Sequence, residues 1–132
     1  MSKPTRILVV DDDMSIVDFV REALADQGYE VLAATDGGEA LSVAAEHRPD
    51  LILLDMRMPI VDGWEFAEKY ERMPGSHGAV IVMTAARDAA DIAADIHAAG
   101  YLAKPFTLDS LLSVVERYAQ PEAAGQPAPV SR

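Results

Sequence analysis

The chain has 132 residues, half of them hydrophobic, which suits one domain with a buried core and argues against a disordered chain. Its formal net charge is −11, so we expect it to bind neither nucleic acid, which needs clustered Lys and Arg, nor an anionic membrane surface. The absence of cysteine excludes disulfides and thiolate chemistry, and with no signal-peptide core and no membrane-spanning run the expected location is the cytoplasm.

The N-terminal half of the sequence predicts three short strands separated by two helices. The strands are continuous apolar runs, typical of a parallel sheet buried on both faces, and the helices repeat apolar residues at helical spacing. Gly28 ends the first helix, and the second ends before Pro49 because a residue before proline avoids helical backbone angles. The predicted elements are strand Arg6–Val10, helix Ser15–Gln27, strand Glu30–Ala33, a helix from Gly38 to Arg48, and strand Leu51–Leu54.

The C-terminal half continues the alternation. Its predicted elements are helix Trp64–Arg72, strand Ala79–Met83, helix Asp88–Ala99, strand Tyr101–Ala103, and a last helix capped by Thr107 and extending to Tyr118. Strands and helices that alternate in this way predict an α/β fold, a doubly wound five-stranded parallel sheet with the flavodoxin-like order 2-1-3-4-5, (βα)5. We expect the domain to span residues 1–119, and 120–132, rich in Pro and Ala, to be a flexible tail.

Polar residues follow four of the predicted strands. They are Asp11-Asp12-Asp13, Asp55, Thr84 and Lys104. Because parallel strands end at one edge of the sheet, and the first and third strands are neighbours in the predicted order, Asp11, Asp12 and Asp55 should lie side by side. Clustered carboxylates need compensation, and Mg²⁺ prefers such oxygen ligands. Asp55 could then be a nucleophile for phosphoryl transfer, with Lys104 and Thr84 on the phosphoryl oxygens, whereas Asp13 is expected only to begin a helix.

At these residues the chain resembles the receiver domain of bacterial response regulators of two-component systems, including chemotaxis regulators. The segments that carry the resemblance are Val9-Val10-Asp11-Asp12, Leu53-Leu54-Asp55, Met58-Pro59, Asp62-Gly63, Thr84-Ala85 and Lys104-Pro105-Phe106. The resemblance implies that Asp55 accepts a phosphoryl group from a histidine kinase. It also implies an Mg²⁺ site formed by Asp11, Asp12, Asp55 and the backbone carbonyl of Arg57.

The resemblance further implies how the signal leaves the pocket. Thr84 and Tyr101 would be the switch pair, Arg57 and Ala86 would tune the phosphate lifetime, and the Lys104–Pro105 peptide would be cis. The expected partners are a sensor histidine kinase or phosphotransfer protein and an output protein. The output protein would bind the face formed by the fourth helix, fifth strand and fifth helix, on a monomer or a phosphorylation-dependent homodimer. Such a domain assists its own phosphorylation and autodephosphorylation, but it is not an enzyme because it consumes its own side chain.

The spacing between two of the site residues departs from the common family pattern. The segment from Thr84 to Lys104 is about two residues short, which predicts an altered fourth helix or exit loop. The chain is either a stand-alone receiver or a piece of a longer regulator.

Two other functions remain open at this point. A small-molecule phosphohydrolase would need a second acid two residues after its nucleophile, where this chain has Arg57. The other alternative is a receiver-like binding module that signals without phosphorylation. The sequence contains no phosphate-binding loop of the nucleotide-binding type.

Overall fold

A computed structural model describes residues 4–57 and 62–119 as five parallel strands alternating with five helices. The sheet order is β2-β1-β3-β4-β5, which confirms the predicted fold. The elements are β1 Arg6–Val10, α1 Met14–Asp26, β2 Glu30–Ala34, α2 Gly37–His47, β3 Leu51–Asp55, α3 Gly63–Arg72, β4 Ala79–Ala85, α4 Ala86–Asp95, β5 Gly100–Lys104 and α5 Leu108–Tyr118. The Met58-Pro59 motif and the tail 120–132 lie outside the described residues. None of the described helices is both long and apolar enough to cross a membrane.

Side chains that alternate along the central strands fill two cores, one on each face of the sheet. On β1, Ile7 and Val9 pack with α1 and α5, whereas Leu8 and Val10 pack with α2, α3 and α4. All four side chains are fully buried. Burial on both faces explains why these strands are continuously apolar rather than alternating with polar residues.

The strands that carry the candidate site residues extend further than the sequence predicted. β3 continues through Asp55 and β4 through Ala85, because Asp55 pairs with Met83 and Ala85 pairs with Lys104 in the parallel ladder. Asp55 and Thr84 therefore lie within strands rather than just after them, and the hydrogen-bonded backbone of the sheet holds both in place.

Helix α4 begins earlier and ends earlier than predicted. It starts directly at Ala86, with no residue between it and β4, because alanines adopt helical angles at little cost. At its end the N–H of His97 donates to the Ala94 carbonyl and the N–H of Ala98 to the Ala93 carbonyl, with His97 left-handed at φ 58°. This pair of bonds is a Schellman motif, which ends the helix at Asp95. The segment from Thr84 to Lys104 is therefore shortened at two places: no loop connects β4 to α4, and α4 ends at Asp95.

Candidate functional site

Three carboxylates meet at the carboxyl edge of the sheet, as the strand order predicts. Asp11 and Asp55 are buried, at 1% and 6% exposure, and Asp12 is exposed. Each offers one oxygen, and the three oxygens lie within 4.8 Å of one another. The backbone N–H of Asp13 donates a 2.9 Å hydrogen bond to Asp11 Oδ1, which orients that carboxylate. Asp13 itself is the N-cap of α1, where its side chain accepts from the Ser15 N–H, so its predicted role as a helix-start residue is confirmed.

Lys104 bridges the two buried carboxylates. Its Nζ donates to Asp11 Oδ2 at 2.8 Å and to Asp55 Oδ1 at 3.3 Å, across 93 and 49 residues of sequence. The peptide bond that follows, Lys104–Pro105, is cis. Lys104 thus contacts two of the three clustered carboxylates, and such a cluster of oxygen ligands suits a divalent cation.

The ionisation of the site follows from burial and charge. Burial and the neighbouring Asp11 carboxylate raise the pKa of Asp55, although Lys104 acts in the opposite direction. Burial alone would lower the pKa of Lys104, but its hydrogen bond to Asp11 and the two nearby carboxylates outweigh burial and raise it. Lys104 is therefore a permanent cation near neutral pH, and Asp55 is a carboxylate that is destabilised relative to a solvated one.

A glycine lets α3 begin directly against the end of β3. A Cβ added at Gly63 would lie 2.6 Å from the Met56 Cα and 2.9 Å from the Asp55 carbonyl oxygen, both closer than real Cβ contacts. The N–H of Gly63 also donates to the Met56 carbonyl at 3.2 Å. The close approach positions the backbone next to Asp55 and requires a residue without a side chain.

The carboxylates and Lys104 line a cavity of about 380 Å³ that other candidate residues also reach. Thr84 lies in this cavity; it is 5% exposed, and its hydroxyl makes no hydrogen bond with the residues that the structure describes. Arg57 lies at the rim and is exposed. The cavity thus brings together a buried carboxylate, a hydroxyl without a partner among the described residues, and an ammonium, and these groups could serve phosphoryl transfer to an aspartate.

One candidate residue, Tyr101, lies apart from this cluster, and two lining residues were not predicted. Tyr101 on β5 is 47% exposed and lies in a groove between α4 and α5, away from the cavity. Ala86 begins α4, and its side chain is outside the described part of the structure. Arg87 and Asp88 line the cavity but were missed, because their position depends on α4 starting at Ala86. The short Thr84–Lys104 spacing was the one available signal.

The chain is similar to known response regulators in sequence and in structure. The family described as the response regulator receiver domain matches residues 7–116. The response regulator MprA of Mycolicibacterium vanbaalenii is 38% identical over 131 residues, which cover 95% of this chain and 56% of the relative. MprA of Mycobacterium leprae is 37% identical over 131 residues, 96% of this chain and 57% of the relative. This chain therefore spans little more than half the length of these curated relatives.

Two solved structures are similar to this chain over nearly their full length. The chemotaxis response regulator CheY4 of Vibrio cholerae superposes with a TM-score of 0.81 at 33% identity, covering 88% of this chain and 99% of CheY4. A CheY-like receiver domain protein from Methanospirillum hungatei superposes with a TM-score of 0.82 at 29% identity, covering 94% of this chain and all of that protein.

Proposed function

The chain belongs to the response regulator receiver domain family, and from this premise we propose that it is a phosphoacceptor switch of a two-component system. The proposed acceptor is Asp55, and the proposed donor is the phosphohistidine of a sensor kinase or phosphotransfer protein. The observation that carries the proposal is the contact of Lys104 with both buried carboxylates, next to the Thr84 hydroxyl, for which the described part of the chain offers no hydrogen-bond partner.

In the proposed reaction a carboxylate oxygen of Asp55 attacks the phosphorus atom. A P–O bond to Asp55 forms, the P–N bond of the phosphohistidine breaks, and its electron pair stays on the imidazole nitrogen. Lys104 neutralises charge on one phosphoryl oxygen, and the Thr84 hydroxyl donates to another. Asp11, Asp12, Asp55 and the Arg57 carbonyl would hold Mg²⁺, which when bound neutralises charge on the transferring group. Because the acceptor is the domain's own side chain, it assists its own phosphorylation and autodephosphorylation without being an enzyme in the usual sense.

An apolar surface beside the cavity supports docking of a protein donor rather than reaction with small molecules alone. Phe19 of α1 is 42% exposed, and its ring centroid lies 6.2 Å from that of Phe106. Ile16, Ala85 and Pro105 line the same groove, together with Lys104. Because Lys104 belongs to both the groove and the cavity, a protein bound on this surface would present its histidine directly to Asp55.

Output is proposed to occur on the face formed by α4, β5 and α5. A phosphoryl group on Asp55 offers a partner to the Thr84 hydroxyl, and movement of Thr84 would favour an inward position of Tyr101, which is now exposed. Phosphorylation would thereby shift an existing equilibrium between two conformations. We further propose that Arg57 and Ala86 tune the phosphate lifetime. The state of assembly would be a monomer or a phosphorylation-dependent homodimer that acts in the cytoplasm.

The test is the intact mass of the protein after incubation with acetyl phosphate, with and without Mg²⁺. The proposal requires one phosphoryl adduct that depends on Mg²⁺ and is absent from an Asp55→Asn variant. Lys104→Ala should lower the rate of adduct formation, whereas an exposed lysine on α3, Lys69, offers a matched control variant (Lys69→Ala) that should leave the rate unchanged.

The outcomes separate the possible functions. No adduct in any condition would overturn the phosphoacceptor role and leave a receiver-like module that only binds. An adduct that persists in Asp55→Asn would show that another residue is the acceptor.

A further inference from the structure

The cavity around Asp55 contains an arginine to which the proposed function gives no role. Arg87 lines the cavity and is exposed. Its guanidinium makes no hydrogen bond or ion pair with any residue in the described ranges 4–57 and 62–119. Lys104, by contrast, is already engaged with both buried carboxylates. Arg87 is therefore a cation that is free to bind an anion in this cavity.

The position of Arg87 results from the direct connection between β4 and α4. Since α4 begins at Ala86, immediately after the last strand residue Ala85, Arg87 is the second residue of the helix. An entry loop at this point would separate the arginine from the end of β4, which carries Thr84. The absence of a loop keeps Arg87 at the rim of the cavity, one residue beyond the position expected to tune phosphate lifetime.

The charge and hydrogen-bonding groups of the cavity favour a phosphoryl group as the ligand of Arg87. Five carboxylates and three cations line it; the carboxylates belong to Asp11, Asp12, Asp13, Asp55 and Asp88, and the cations to Arg57, Arg87 and Lys104. Phosphorylation replaces one carboxylate charge by a phosphoryl group that carries about two charges. The buried Thr84 hydroxyl, which has no partner among the described residues, independently indicates that an acceptor group binds here.

We propose that Arg87 binds a phosphoryl oxygen of phosphorylated Asp55 and prolongs the life of the acyl phosphate. This inference rests on the phosphoacceptor role of Asp55. In hydrolysis a water oxygen bonds to phosphorus, the bond from phosphorus to the Asp55 oxygen breaks, the carboxylate leaves with the electron pair, and the water proton passes to solvent. The water must approach the phosphorus atom on the side opposite the Asp55 oxygen. Because Arg87 lines the cavity that holds the phosphoryl group, its guanidinium, bound to a phosphoryl oxygen by a charge-assisted hydrogen bond, would obstruct that approach.

The test measures the half-life of the phosphorylated protein after removal of acetyl phosphate, by intact mass, in Mg²⁺ buffer. Arg87→Ala should shorten the half-life by about threefold to tenfold, the effect expected for one partly exposed charge-assisted bond. Arg87→Lys retains the charge and should keep at least half of the original half-life. Arg21→Ala is the matched control, because it removes an exposed arginine on α1 that lines no part of the cavity. Circular dichroism verifies that each variant is folded.

Each outcome has one meaning for Arg87. A half-life in Arg87→Ala within twofold of the unaltered protein, or an Arg87→Lys variant as short-lived as Arg87→Ala, overturns the proposal while Asp55 remains the acceptor. An equal shortening in Arg21→Ala also overturns it, because net charge alone would then explain the effect. If the unaltered protein forms no adduct, the phosphoacceptor role fails and the role of Arg87 falls with it.

Discussion

Replacing Asp55 by asparagine should stabilise the fold when Mg²⁺ is absent, although it removes an ion pair. With an effective dielectric constant of 20, Lys104 at 3.3 Å attracts the Asp55 charge by about 5 kcal/mol. Asp11, within 4.8 Å, repels it by at least about 3.5 kcal/mol, and the more solvated Asp12 adds roughly half as much. Attraction and repulsion nearly cancel, so the cost of burying the Asp55 carboxylate remains uncompensated.

The expected gain in stability follows from the cost of burying the Asp55 carboxylate. A neutral asparagine amide avoids most of this desolvation cost. The free energy of unfolding of Asp55→Asn should therefore exceed that of the unaltered protein by about 2 kcal/mol in EDTA near neutral pH. For a domain of this size the gain corresponds to a rise in Tm of about 8 °C. Lys104 keeps its 2.8 Å contact with Asp11 in the variant, so no buried cation is left unpaired.

The pH dependence supplies a second test of the same reasoning. The folded-state pKa of Asp55 is raised above its ordinary value of 3.8, so the folded protein binds this proton more tightly than the unfolded chain. The unaltered protein should therefore lose stability relative to Asp55→Asn as the pH rises through 3.8 toward the raised pKa. Well below 3.8 the carboxyl group is protonated in both states, and the two proteins should be equally stable.

Thermal unfolding followed by circular dichroism, in EDTA and in saturating Mg²⁺, measures both the gain in stability of Asp55→Asn and its dependence on pH. Asp18→Asn, an exposed aspartate on α1, is the control and should change the free energy by less than about 0.5 kcal/mol. Saturating Mg²⁺ should reduce the difference in Tm between Asp55→Asn and the unaltered protein, because the unaltered protein keeps all three carboxylates as ligands for the ion. A Tm of Asp55→Asn equal to or below that of the unaltered protein in EDTA would refute the reasoning.

Three further substitutions test the contacts that hold the site and the last helix. Lys104→Met leaves Asp55 and a second buried carboxylate without the cation that contacts them. In urea unfolding without Mg²⁺ we expect the free energy of unfolding to fall by about 3 kcal/mol. A fall of less than about 1 kcal/mol would contradict the bridging role of Lys104. Gly63→Ala forces a Cβ against Met56 and should cost about 1–3 kcal/mol, and an unchanged Tm would show that α3 can move aside. Thr107→Ala removes the α5 capping box and should cost about 1 kcal/mol, whereas Thr107→Ser should cost much less if the hydroxyl is what matters.

The boundaries of the elements show where sequence patterns were sufficient. β1 has its predicted bounds, because an apolar run flanked by polar residues leaves little choice for a buried strand. Strands β3 and β4 are longer than their apolar runs, because ladder bonds to neighbouring strands extend through the polar residues Asp55 and Thr84. Local patterns do not reveal such bonds, since the partners are distant in sequence.

Helix α4 was predicted less well for a related reason. Its alanine-rich sequence favours a helix throughout Ala86–Ala99, so local propensity alone places neither end. The Schellman motif at His97 and the hydrogen bond from the Ala99 N–H to the Val80 carbonyl turn the chain into β5. The end of the helix is therefore decided by the need for β5 to pair with β4.

The sequence by itself determined the fold class, and it predicted that Asp11, Asp12 and Asp55 would lie side by side at one edge of the sheet. Polar residues lie at or just after the ends of four of the five strands, and parallel strands gather such residues at one edge of the sheet. The tertiary structure decided how these groups interact: Lys104 contacts both Asp11 and Asp55, and Arg87 joins the same cavity. The reason is physical. Apolar periodicity and strand order are encoded locally, whereas distances between side chains on different strands exist only once the strands have packed.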